Sequence, residues 1–207
     1  MWIFALIAVV SGYLLGNLNG AVCISHLFGD DVREHGSGNA GLTNFVRNYG
    51  AGRAVAVVLI DAGKAVASCL LGGLLLQSTL GFQTGAILGG TGVLLGHVFP
   101  VFLGFRGGKG ILSGLFVALM TDWRIALLIL AVFAVAYLLT QYVSLGSVLA
   151  AATFGIGFAV LYHDDLLVMV CGLFMSALAL LMHRENIVRL CKGQERKTNL
   201  FKKKTDC

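Results

Sequence analysis

The chain has 207 residues, of which 57% are hydrophobic and only 12% charged, with a mean hydropathy of +0.87. A soluble domain is usually about 25% charged, so the composition argues for a polytopic membrane protein. Period-two alternation in segments of about ten residues is missing, which argues against a β-barrel. The net charge of +5 suggests nucleic acid only superficially, because most cations lie in the final tail. There they mark a cytoplasmic end facing anionic headgroups.

Seven apolar segments follow in chain order: Trp2–His26, Ala54–Leu76, Thr84–Val101, Ile111–Met120, Ile125–Leu139, Leu145–Tyr162 and Leu166–Met182. Met1-Trp-Ile-Phe carries no positive charge before the first, so that segment reads as a span and not as a cleaved signal. The fourth covers only about 15 Å as a helix, half a hydrocarbon core. The fifth is also short, and the count falls to six or five if these two re-enter. Glycines and alanines are dense inside the spans, as in Gly85-Ala-Ile-Leu-Gly-Gly-Thr-Gly92, which suits close helix approach in lipid. The expected fold is an all-α, polytopic membrane bundle of about seven transmembrane helices. It forms a single domain over 1–207, with a basic tail at 193–207.

Seven crossings put thirteen of the fifteen lysines and arginines on the side of the C-terminus, which places that end in the cytoplasm and the N-terminus outside. No internal repeat is visible. The five cysteines are scattered, with no disulfide framework, and no His/Cys/Asp/Glu set has metal-ligand spacing. Asp61 and Lys64 lie three apart inside the second span. An intramembrane pair is a functional candidate by default, although the two can also simply neutralise each other. His97, buried by position, reads as a packing, structural histidine.

Three polar clusters fall on the predicted cytoplasmic face. The first is His35-Gly-Ser-Gly-Asn-Ala-Gly-Leu-Thr-Asn-Phe-Val-Arg47. It is either a solvated loop with an ordinary helix cap, or a phosphate cradle built from Gly36, Ser37, Gly38, Asn39, Thr43, Asn44 and Arg47. The second is Gly104-Phe-Arg-Gly-Gly-Lys-Gly-Ile-Leu-Ser113. Its glycine amides can converge on an anion that Arg106 and Lys109 neutralise. It is not a nucleotide P-loop, since Leu103 and Gly110 stand where that motif needs Gly and Ser or Thr. A glycine turn with a snorkelling lysine looks the same. The third is His183-Arg-Glu-Asn-Ile-Val-Arg-Leu190, which by itself reads as a basic interfacial helix. Continued helix puts His183, Asn186 and Arg189 on one face and turns Glu185 away, to pair with Arg189 in a structural role.

Taken together, the three blocks resemble the bacterial acyl-phosphate:glycerol-3-phosphate acyltransferases of the PlsY family. The match runs through Gly36 to Arg47, Gly96 to Gly110 and His183 to Leu190, in order and over most of the chain. The chain departs from the family pattern at Ala65 and at Ile111-Leu-Ser113. His26-Leu-Phe-Gly-Asp-Asp31 also fits the His-x4-Asp pattern of a different acyltransferase superfamily, but lacks its other blocks and is read as coincidence.

The resemblance implies a multi-pass enzyme of the bacterial inner membrane, working at the cytoplasmic face. It would move a fatty acyl group from acyl phosphate to the 1-hydroxyl of glycerol 3-phosphate. Two phosphate-bearing substrates need two anion cradles, and an apolar groove between helices can hold the acyl chain. Ser37, Asn39 and Arg47 are assigned to one cradle. Lys109 and the amides of Gly107, Gly108 and Gly110 are assigned to the other, which the resemblance links to glycerol 3-phosphate. His183 and Asn186 would close the site. Ser37, Arg47, Lys109, His183 and Asn186 are the expected catalytic set. Either His183 or a substrate phosphate takes the proton, while Ser37 as nucleophile lacks an adjacent base. No cofactor, metal, nucleic acid or protein partner is implied. The competing function is a transporter of a phosphorylated solute. A scaffold recruiting partners through Lys202-Lys-Lys204 leaves the glycine loops unexplained.

Overall fold

The computed structural model describes residues 1–198, and the regular elements within them are all helices. The Lys202–Lys204 run and Cys207 lie outside the described residues. The helices are α1 (Trp2–Gly16), α2 (Gly20–His26), α3 (Leu42–Tyr49), α4 (Ala51–Leu76), α5 (Phe82–Val98), α6 (Ile111–Thr121), α7 (Trp123–Thr140), α8 (Val143–Leu161), α9 (Leu166–Met182) and α10 (Arg184–Cys191). Five stretches are long and apolar enough to cross a bilayer: Trp2–His26, Ala51–Leu76, Phe82–Leu103, Trp123–Thr140 and Val143–Leu161. A sixth arises if α9 and α10, bent by 57° at His183, count as one span.

Helix α6 has 11 residues and spans only about 16 Å, as the sequence leads one to expect. Helix α7 is longer than expected, at 18 residues. It gains length because the Asp122 carboxylate accepts the Arg124 amide at 2.9 Å and starts the helix two residues earlier than the apolar run.

Helix α5 is buried on nearly every side, which is why it is apolar all round with no polar stripe. Helix α1 packs on one side of it and α4 on another, through glycines on both partners. A Cβ on Gly16 would lie 2.8 Å from the Gly96 Cα, and one on Gly85 would lie 2.9 Å from the Gly73 Cα. Backbones this close leave no room for side chains, and that closeness supplies the van der Waals attraction that lipid-embedded helices lack otherwise. Leu6, Leu59, Leu74, Leu138, Leu139, Ile156 and Val160 point outward and are exposed, a surface suited to acyl chains.

The first span is not one helix. It breaks between Gly16 and Gly20, and a buried ion pair from α4 fills the gap. Lys64 Nζ donates to the Leu18 carbonyl at 2.7 Å and to the Gly16 carbonyl at 3.3 Å. Asp61 Oδ1 accepts the Gly20 amide at 3.2 Å and meets Lys64 Nζ at 2.8 Å. The cation thus satisfies the carbonyl end of α1 and the anion satisfies the amide end of α2, matching both helix dipoles. The pair does neutralise itself, but its protein-wide effect is to hold a broken span open. The freed Asn19 then reaches out: its Nδ2 donates to the Ala40 carbonyl at 3.0 Å, in the loop before α3.

Candidate active site

The loop before α3 is built around one side chain. Asn44 is buried, and the two protons of its Nδ2 are shared among the carbonyls of Val32 at 2.9 Å, His35 at 3.0 Å and Asn39 at 3.1 Å. Its Oδ1 accepts the Ser37 amide at 3.0 Å. Asn44 lines the vestibule, with its side-chain hydrogen bonds spent on shaping the loop. Gly36 and Gly38 take left-handed φ of +62° and +69°, and Gly36 passes directly beside the Asn44 carboxamide. Helix α3 begins at Leu42 with no side-chain cap, leaving first-turn amides to a ligand.

The second loop is pinned to α5. The Gly108 amide donates to the His97 carbonyl at 3.1 Å. A Cβ on Gly107 would lie 2.7 Å from both Pro100 Cδ and the Val98 carbonyl, and one on Gly108 would lie 2.7 Å from the Ala40 carbonyl and collide with His97 Nε2. These two glycines serve close backbone seating. The Gly108 amide is already bonded, so it is no phosphate donor here. Gly110, with φ of +78°, does line the cavity. Arg106 is exposed and lines neither compartment described below. Its side chain stands apart from the expected cradle. The two loops are also tied together, because Arg33 Nη1 donates to the Leu103 carbonyl at 3.0 Å.

The third block turns at His183, so His183, Asn186 and Arg189 face the loops. The Lys109 ammonium donates to Asn186 Oδ1. His183 is buried, with Nδ1 2.8 Å from the Ala179 carbonyl. A carbonyl only accepts, so Nδ1 carries the proton and Nε2 is a bare lone pair. Burial, reinforced by Lys109, pushes the His183 pKa down to about 4. Burial also lowers the pKa of Lys109 and of Arg47, opposed by Glu185 and Glu195 at the first and by Glu195 at the second.

Two compartments meet at these residues. One is an apolar cleft of about 250 Å³, walled by Leu112, Leu115, Ile129, Leu130 and Phe133. The other is a polar vestibule of about 430 Å³ that holds Ser37, Arg47, Asn186 and Arg189. Asn39, Thr43, Lys109 and His183 line both and mark the junction. Such a cavity can hold a charged head in the vestibule and an alkyl chain in the cleft.

Several lining residues carry no substrate role in the sequence reading. Asp61 and His97 form the floor of the cleft, so His97 is more than a packing residue. Ser144 and Ser147, three apart at the start of α8, line the vestibule, and their spacing in an otherwise apolar span could have signalled it. Glu195 accepts from Arg189 Nε at 2.7 Å and from Asn186 Nδ2 at 3.2 Å. The Arg47 guanidinium donates to the Thr198 hydroxyl, and the Thr198 amide donates to the Gln141 carbonyl at 3.0 Å. Residues 195 and 198 are therefore packed on the site and are not free tail. Glu185 does approach Arg189, at 3.8 Å, but Glu195 is the nearer partner.

A family model described as glycerol-3-phosphate acyltransferase matches residues 6–193. A glycerol-3-phosphate acyltransferase of Thermoanaerobacter sp. (strain X514) is 36% identical over 195 residues, covering 94% of this chain and 96% of the relative. One of Anaeromyxobacter dehalogenans (strain 2CP-C) is 39% identical over 193 residues, covering 92% and 96%. The crystal structure of PlsY, an integral membrane glycerol 3-phosphate acyltransferase, in its glycerol 3-phosphate form superposes with a TM-score of 0.83 at 33% identity, over 96% of this chain and 99% of that one. Its lysophosphatidic acid form gives 0.81 at 33% identity, over 95% and 96%. Sequence, fold and the three converging blocks agree: this chain belongs to the glycerol-3-phosphate acyltransferase family and is an integral membrane protein of the PlsY type.

Proposed function

We propose that the protein, acting as a single domain, transfers a fatty acyl group from acyl phosphate to the 1-hydroxyl of sn-glycerol 3-phosphate. The products are inorganic phosphate and lysophosphatidic acid, and the latter feeds phospholipid synthesis. The observation that carries this reading is the junction where Lys109 and His183 stand between an apolar cleft and a cationic vestibule. The acyl chain lies in the cleft, its activated carbonyl at the junction, and both phosphates in the vestibule. Arg47 and Lys109 bind the phosphates, Ser37, Asn39 and Thr43 supply hydrogen bonds, and Asn186 orients Lys109.

The acceptor hydroxyl oxygen attacks the carbonyl carbon, the carbonyl–oxygen–phosphorus linkage breaks at the carbon, and phosphate leaves with the bonding pair. The proton has two candidate acceptors. His183 is neutral at physiological pH, with a pKa near 4. A phosphate monoester titrates near 6, whereas burial weakens His183 as a base, so the phosphate is the better proton acceptor. The 1-hydroxyl has one proton, which passes to phosphate, and His183 Nε2 positions the acceptor by accepting from its 2-hydroxyl. An acyl phosphate is already activated, so positioning and charge stabilisation carry the rate.

Seven crossings, counting α6 and α9, place the vestibule and the C-terminus in the cytoplasm of the bacterial inner membrane. The cation bias supports this orientation. The donor is tested in proteoliposomes with labelled glycerol 3-phosphate and palmitoyl phosphate, palmitoyl-CoA or palmitoylated carrier protein. Labelled lysophosphatidic acid from palmitoyl phosphate alone supports the reading. Equal yield from the thioesters contradicts it, and uptake of label without product makes the protein a transporter.

A further inference from the structure

The cleft contains two buried histidines whose hydrogen bonds fix opposite tautomers. His183 gives its Nδ1 proton to the Ala179 carbonyl, so its Nε2 can only accept. His97 is the reverse case. Its Nδ1 lies 2.8 Å from Lys64 Nζ and 3.7 Å from Asp61 Oδ1, and Lys64 Nζ also meets the Leu18 carbonyl at 2.7 Å, Asp61 Oδ1 at 2.8 Å and, at greater length, the Gly16 carbonyl at 3.3 Å. Asp61 and Lys64 are both buried, and a buried carboxylate without a cation is costly, so Lys64 is an ammonium. An ammonium has three protons and nothing with which to accept. Whatever the sharing of its protons among the oxygens, an ammonium 2.8 Å from a ring nitrogen can only donate to it, so His97 Nδ1 is the acceptor. The His97 proton is thereby placed on Nε2, beside Gly108 and close to the loop that carries Lys109.

We propose that His97 is a catalytic hydrogen-bond donor, directing Nε2–H from the cleft floor at the acyl carbonyl oxygen as that oxygen gains negative charge. Asp61 and Lys64 are the positioning residues that hold the tautomer. His97 and His183 both line the apolar cleft, so one wall donates to the electrophile while the other accepts from the 2-hydroxyl of the acceptor. The donor costs no reorganisation at the moment of reaction, because its proton is locked before substrate arrives. The assignment rests on the acyl-transfer reading above.

The test begins with ¹⁵N-histidine-labelled wild-type protein in nanodiscs. Nitrogen shifts should report Nε2–H for His97 and Nδ1–H for His183. A His97 carrying its proton on Nδ1 overturns the proposal, and this readout needs no variant to fold. Side-chain mimics then separate the two ring nitrogens, since asparagine reproduces Nδ1 and glutamine reproduces Nε2. His97→Gln should keep kcat within about tenfold of wild type, whereas His97→Asn, which retains the Lys64 contact, should lose about 100-fold in kcat, the usual loss for one oxyanion donor. The KM for glycerol 3-phosphate should not move in either. An active His97→Asn with an inactive His97→Gln means the ring serves only Lys64 and overturns the role. Wild-type protein that transfers no acyl group from any donor overturns the reading beneath it, whereas wild-type transfer with an unaffected His97→Asn overturns the role of His97 alone.

Discussion

Lys64→Met removes the cation from the break in the first span while keeping a side chain of similar length. Lys64 and Asp61 side chains are 1% and 2% exposed, so the remaining carboxylate has no water to replace its partner. Breaking a buried pair from one side costs about 3–5 kcal/mol. The Leu18 and Gly16 carbonyls and His97 Nδ1 also lose their donor, a penalty of about 1–3 kcal/mol that overlaps with the first. The double variant Asp61→Asn/Lys64→Met should recover part of the loss, because it removes the stranded charge and the new carboxamide can still accept the Gly20 amide. Its cost should fall to about 1–3 kcal/mol, the value of the acceptors left without the Lys64 donor. Reversible unfolding in mixed micelles of wild type, both single variants and the double closes the cycle. The reasoning fails if Lys64→Met is within about 1 kcal/mol of wild type, below any buried-pair estimate. It also fails if the double variant is weaker than Lys64→Met.

Three further outcomes follow from the site geometry. Asn44→Ala should cost about 2–4 kcal/mol, since both N–H donors of the carboxamide and the bond it accepts from the Ser37 amide vanish at roughly 1 kcal/mol each. An unchanged melting temperature would show that the loop does not depend on Asn44. Gly108→Ala forces a Cβ to within 2.7 Å of the Ala40 carbonyl and against His97, a strain of about 1–3 kcal/mol. It should raise the KM for glycerol 3-phosphate by moving Lys109, and a normal KM would contradict the seating described. His183, held neutral with a pKa near 4 against an ordinary 6.5, should make stability depend on pH in one direction. Below pH 6.5 the unfolded chain binds a proton that the fold refuses. Stability is thus complete above pH 6.5 and falls by up to about 3 kcal/mol as pH drops toward 4. Comparing denaturation of wild type with His183→Gln at pH 7, 5.5 and 4.5 isolates this contribution, and identical slopes would refute it.

Much of the site was legible because its residues are rare in lipid. Glycines clustered with cations between long apolar runs mark the loops before α3 and α6, and a polar block straight after the last span marks α10. What stayed hidden depends on tertiary partners. The first span shows an unbroken apolar window, and only Asp61 and Lys64, some forty residues on, make a break at Asn17–Asn19 tolerable. Gly107 and Gly108 read equally well as anion-binding amides or as close backbone seats, since glycine suits both. Arg106 is adjacent to useful neighbours in sequence but is exposed and lines neither compartment. Asn44 carries the polar groups of a ligand, and nothing local says they are spent inside the loop. Glu195 and Thr198 sit in a stretch whose basic composition reads as solvated, although their side chains reach into the site.

The most direct test of the two-compartment site is phosphate release by purified protein in lipid. Palmitoyl phosphate is supplied with and without glycerol 3-phosphate, to wild type, Arg47→Ala and Lys109→Ala. The account predicts release that requires the acceptor, matches lysophosphatidic acid formed one for one, and is lost in both variants. Release that proceeds without acceptor, or that survives in folded Arg47→Ala and Lys109→Ala, would contradict it.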